Sequence, residues 1–154
     1  MALNTFQGKL RSYGGAAKED GVTPGAVVMS AVVACDPVAA SATAMRIGTS
    51  ATSGATFVLP KGAVPISFLS LGGITGGVSP TVDIGTSASP AGFFNEVSNT
   101  VGALKGPDGA AVLGLGIAAP VTVTGMVGAS AGTGGTFVGV FTYMVYDDGY
   151  EGGA

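Results

Sequence analysis

From residue 26 onward the chain is a succession of short apolar runs, most alternating with period two and each closed by glycine or proline. The first, Val27-Val28-Met29-Ser30-Ala31-Val32-Val33, is rich in the β-branched residues that strands prefer. Thr43 to Ile47 follows, then Thr56 to Leu59, which stops at Pro60. Val64, Ile66 and Phe68 then alternate with Pro65, Ser67 and Leu69. Val78, Val82 and Ile84 share one face of the next run, opposite Ser79, Thr81 and Asp83. Pro80 falls inside it, and a proline cannot donate to a ladder, so this strand is expected at a sheet edge. Val97, Val101 and Ala103 continue the period of two, and Ala111 to Leu113 is a short run bounded by glycine. Val121 to Val127 shows the clearest alternation. The longest run is Thr136 to Tyr146, where Phe137, Phe141, Tyr143 and Val145 oppose Val138, Val140, Met144 and Tyr146. Apolar on both faces, it predicts a strand buried on two sides.

No window carries a helical period with caps; at most, Pro90 to Glu96 could form a single helical turn. Eight to ten short strands with glycine and proline turns every eight to twelve residues indicate an all-β, antiparallel β-sandwich, with a jelly roll as the preferred form. Residues 1–25 are polar and broken by Gly14-Gly15, Gly21 and Pro24-Gly25, and read as an extended N-terminal arm. The sandwich is expected over 26–148, with a short C-terminal tail at 149–154.

One internal similarity falls on the turns. Ile47 to Val58 aligns with Val127 to Val138, seven of twelve positions being identical, and both copies end in Thr-Phe-Val. Each reads as a strand, a small-residue loop and a second strand, a hairpin-like connection. There is no regular longer period of the kind that marks a solenoid.

Composition changes the picture in one respect. Gly, Ala, Thr and Ser fill about half of the 154 positions, and only 10% of residues are charged, against about 25% in ordinary soluble domains. A monomer stays dissolved through surface charge, so a chain this poor in it is expected to be covered by neighbouring subunits. The six basic residues are scattered through a chain of net charge −3, which leaves no basic footprint for nucleic acid. The longest apolar stretch, Ala26 to Cys35, is half what a bilayer span of roughly 20 residues needs. Residues 1–20 have no apolar core of a secretory signal, so assembly without export is expected.

The chain contains no histidine, which removes Ser-His-Asp and Cys-His chemistry and most zinc sites. Cys35, the sole cysteine, is expected to be a buried, inert thiol. Asp83, Glu96 and Asp108 are dispersed, and a glycosidase pair would have to be assembled from them in space. Asp147-Asp148-Gly149-Tyr150-Glu151 lacks the alternating oxygen spacing of a calcium loop and reads as an acidic turn. Gly114-Leu115-Gly116 is followed by Pro120 and a strand, so no helix is present to receive a pyrophosphate. No catalytic residue, cofactor, metal site or small-molecule substrate is expected. The candidate contacts are electrostatic: the basic arm residues Lys9, Arg11 and Lys18 against Asp147 and Asp148 of a neighbouring subunit.

The segment Phe57-Val58-Leu59-Pro60-Lys61-Gly62-Ala63-Val64-Pro65-Ile66, followed by Thr81-Val82-Asp83-Ile84-Gly85-Thr86, resembles a pattern in small structural proteins of tailed bacteriophages. Phe141 to Gly149 looks like the last strand of the same proteins, and the resemblance covers roughly residues 55–148. It implies a virion component, in the first place a capsid decoration (cement) protein. Such proteins are often trimers of β-rich subunits that clamp adjacent capsomers. The partners it implies are the major capsid protein and further copies of the chain, with no nucleic acid and no membrane. A tail, head-fibre or receptor-binding component is the alternative, and a carbohydrate-binding domain a more distant one. Residues 1–25, laid over a neighbour, would add contacts whose multiplicity makes attachment durable.

Overall fold

The computed structural model describes residues 25–109, 118–128, 132 and 134–147. Those residues form eleven strands and no helix. Five are long enough to carry a sheet alone: β1 (Gly25–Cys35), β5 (Ala63–Gly72), β6 (Thr81–Gly85), β7 (Phe94–Ser98) and β11 (Phe137–Asp147). The rest are short: β2 (Thr43–Ala44), β3 (Arg46–Ile47), β4 (Val58–Leu59), β8 (Leu104–Lys105), β9 (Val121–Thr122) and β10 (Thr124–Val127).

The pairing is nested. The β6–β7 hairpin lies at the centre of the scheme, and around it β5 pairs with β8, β2 with β10, and β1 with β11, all antiparallel. The folded ribbon then rolls, so that β11 also pairs with β5 and β10 with β6. Two sheets result, in the orders β3-β1-β11-β5-β8 and β2-β10-β6-β7, with a separate β4–β9 pair. This is the antiparallel β-sandwich expected from the period-two runs.

One corner shows how the chain passes between sheets. β2 belongs to the four-stranded sheet and β3 to the five-stranded one, with buried Met45 between them. The Met45 amide donates to the Val123 carbonyl at 2.9 Å, and its own carbonyl accepts the Phe57 amide at 2.8 Å. No backbone group is left unpaired at the crossing, as burial there requires.

Between the sheets lies an aromatic core. Phe141, on the central strand β11, is fully buried. Its ring lies 5.3 Å from those of Phe57 and Phe94, and 6.2–6.3 Å from those of Phe68, Phe93 and Tyr143. Most of these contacts are edge-on, the arrangement that aromatic quadrupoles favour. Phe68 stacks on Phe137 at 5.6 Å. The two Thr-Phe-Val segments of the internal similarity therefore both deliver a phenylalanine to this core. Only the first is a hairpin, closed by the Arg46–Thr56 bridge; the second joins β10 to β11 and so crosses between sheets.

Three expectations are corrected. The strand after Pro80 is interior, flanked by β10 and β7. Pro80 precedes its first residue, so the missing N–H is never asked for, and its carbonyl accepts the Asn99 amide at 3.0 Å. Pro90 to Glu96 is not helical: a turn closed by the Gly92 amide on the Ser89 carbonyl leads into β7. Residues 101–103 form a turn before β8 and do not extend β7. The run Ala111 to Leu113 lies outside the described residues.

Candidate assembly surface

The register across the five-stranded sheet sorts its side chains into two faces. Ala31, Phe141 and Phe68 form one inward row, and Cys35 and Phe137 begin another. On the opposite face, Val28, Met144 and Val64 lie side by side, then Ser30, Thr142 and Ser67, then Val32, Val140, Leu69 and Leu104. No charged residue stands in these three outward rows. Val28 is 62% exposed and Leu104 70%, while Val64, Leu69, Val140 and Met144 are half-buried. The hydroxyls of Ser30 and Thr142 hydrogen-bond to each other at 3.0 Å across the β1–β11 pair. They satisfy one another beside Ser67, between two apolar rows.

This arrangement revises the reading of Thr136 to Tyr146. The inward side of β11 is covered by the second sheet, but among the described residues no layer covers its outward side. The hydrophobic pattern of a two-sided buried strand is present, with one of its two covers.

The carboxylates considered for catalysis are held by local structure. Asp83 Oδ1 accepts the Glu96 amide at 2.8 Å, where β6 and β7 lose register and Glu96 adopts a left-handed φ of 53°. Asp108 Oδ1 accepts the Asn95 amide at 2.8 Å, and its other oxygen pairs with Lys105 at 2.6 Å. Partial burial works against the charged form of Asp108. The Lys105 and backbone hydrogen bonds outweigh it and hold the carboxyl below its usual range. Asp36 accepts the Thr136 hydroxyl at 2.6 Å. Among the described residues, no three His, Cys, Asp or Glu side chains gather where a metal could be held.

Cys35 is buried at the end of β1, and burial, aided by Asp36, pushes its thiol up to about 12. A side chain at Gly125 would stand 2.5 Å from its sulfur, so the glycine on β10 makes room for it. The inert-thiol expectation stands on this packing, since a thiol so far from ionising supplies no thiolate nucleophile.

The electrostatic contacts expected from the sequence are only partly placed. Asp147 closes β11, in register with Gly25 at the start of β1. Lys9, Arg11, Lys18 and Asp148 lie outside the described residues. The motif residues carrying the phage resemblance fall on β4, the turn in which the Ala63 amide meets the Pro60 carbonyl at 3.1 Å, the start of β5, and β6 with its exit. The outward rows were not legible residue by residue, because two bulges in β5 displace Ile66 and Leu71 from strict alternation.

No protein-family model matches the chain, and no curated protein matches it. Among solved structures the chain is similar to one described as the cyanophage Pam1 capsid asymmetric unit. The identity is 18% and the TM-score 0.49, over 94% of this chain and 98% of that one.

Proposed function

We propose that this chain is a non-enzymatic structural protein of a phage virion. In this reading it sits on the outside of the capsid and stabilises contacts between capsomers, as a homotrimer bound to the major capsid protein. The observation that carries the reading is the set of three uncharged outward rows on the five-stranded sheet, whose Ser30–Thr142 hydroxyl pair is satisfied internally. Such a face is unfavourable in water and favourable against a neighbour. The jelly-roll reading of the sandwich is supported by the nested pairing, first strand with last and inward to the β6–β7 hairpin. The turn motifs around Pro60 and Gly85 support the placement among phage structural proteins. The protein would be made and assembled in the host cytoplasm and would act in the virion without a cofactor.

The test is reconstitution. Purified protein is added to expanded capsids that lack it, and bound copies and the thermal stability of the shell are measured. Saturable binding over the whole shell, with a raised disruption temperature, is expected. No binding, or binding confined to a tail or a few vertices, would refute the capsid placement and favour the tail or fibre alternative.

A further inference from the structure

We infer that β1 is a self-association edge, along which two copies of the chain pair antiparallel about a two-fold axis at Val28. β1 is paired with β11 along all eleven of its residues. On its other side β3 meets only Val33 and Ala34, and the Gly48 amide donates to the Val32 carbonyl at 2.8 Å. That carbonyl points away from β11. Backbone groups alternate sides along a strand, so the N–H and C=O of Ala26, Val28 and Ser30 point the same way. Among the described residues nothing pairs with them.

Exposed strand edges are normally guarded by charge, proline, bulges or shortness. The other edges of this sandwich carry such guards. β5 holds Pro65 and two bulges, β7 holds Glu96 at a bulge, and β2, β3 and β8 are two residues long. The free stretch of β1 is uncharged, regular and without proline. Within an assembly of identical chains, the edge that can meet it is therefore β1 of a second copy.

The sequence around Val28 suits that partner. A two-fold axis there sets Val28 opposite Val28 of the second copy, and Ala26 opposite its Ser30. Each pair exchanges two N–H···O=C bonds, and the paired stretch, Gly25 to Ala31, stops short of Val32, where Gly48 is bound. The two Val28 side chains, 62% exposed in one copy, come together. The outward apolar rows run on from one sheet into the next, and no like charges oppose. In a trimer of the proposed kind this contact would join neighbouring trimers. The inference does not depend on the capsid reading, because association in solution tests this edge and shell binding tests the other.

The experiment is sedimentation equilibrium of the full chain, with Val28→Pro and Met29→Lys as variants. Val28→Pro removes an amide hydrogen that faces away from β11, and leaves the β1–β11 bonds intact. Met29→Lys places a charge at the exposed edge, on the side away from the outward rows. An even multiple of the chain mass is expected for the unaltered protein. Each substitution acts twice in the symmetric contact, and a weakening of at least about tenfold is expected, with thermal unfolding unchanged. If the proline variant fails to fold, as judged by circular dichroism, the lysine variant decides. A monomer or an odd assembly for the unaltered protein, or folded variants that associate as before, would overturn the inference.

Discussion

Gly139 lies in mid-strand on β11, with the Phe68 ring lying over it. A methyl group added there would stand 2.2 Å from Phe68 Cε1, 2.3 Å from Cζ and 2.7 Å from the Leu69 carbonyl oxygen. The ring would have to retreat by more than about 1 Å to reach ordinary contact distance. It has nowhere to go, being stacked on Phe137 at 5.6 Å and packed against Phe94 at 6.0 Å and Phe141 at 6.2 Å. Overpacking costs about 1–3 kcal/mol, and the loss of ring contacts puts Gly139→Ala near the upper end. Reduced freedom of the unfolded chain returns up to about 1 kcal/mol, leaving roughly 2 kcal/mol of destabilisation. For a domain of this size that corresponds to a fall in Tm of about 4–8 °C. Thermal unfolding by circular dichroism measures it, with Gly139→Ala repeated in a Phe68→Leu background, where the clash is absent. A midpoint within about 1 °C of the unaltered protein, or no dependence on Phe68, would refute the packing argument.

Phe141→Ala should cost about 3–5 kcal/mol, because it empties the centre of the aromatic core; equilibrium unfolding in urea would read this as a lower midpoint. Cys35 should resist thiol reagents until the protein unfolds, a prediction that fails if labelling proceeds in the native state. Its folded pKa of about 12 lies above the ordinary 9.0, so the unfolded chain loses this proton first. Stability from this group is full below pH 9 and falls as pH rises, by about 1 kcal/mol at pH 10; Cys35→Ala should remove most of that slope. Val140→Glu, in the outward rows, should cost about 1–2 kcal/mol, leave the sandwich folded by circular dichroism, and abolish binding to capsids. Removal of residues 1–24 should release the protein from particles while the sandwich still folds; undiminished occupancy would count against an anchoring arm.

Strand positions were legible because period two survives in a chain this rich in small residues. Spacing alone set Phe137, Phe141 and Tyr143 on one side of β11, without saying which side faces the second sheet. Pairing was another matter. Ser30 meets Thr142 across 112 positions of sequence, and no local signal marks that partner. The same non-locality misled the reading of Pro80. A proline one residue before an interior strand looks in sequence like a proline within an edge strand. Glu96 adopts a left-handed conformation because the Asp83 carboxylate takes its amide, a contact invisible until β6 and β7 are aligned. The candidate surface was half legible. Apolar residues on both faces of Thr136 to Tyr146 announced two covers, and only the structure shows that the second sheet supplies one of them. The open edge of β1 was not legible at all, since it depends on how far β3 extends.

The central claim is that the outward face of the five-stranded sheet is closed by a neighbour in a phage shell. A cryo-EM reconstruction of the native particle tests it directly. The account predicts density for this chain over the outer capsid surface, with the Val28, Val32 and Val140 face buried against the capsid protein or another copy. Density at the tail alone, or on the shell with that face open to solvent, would contradict it.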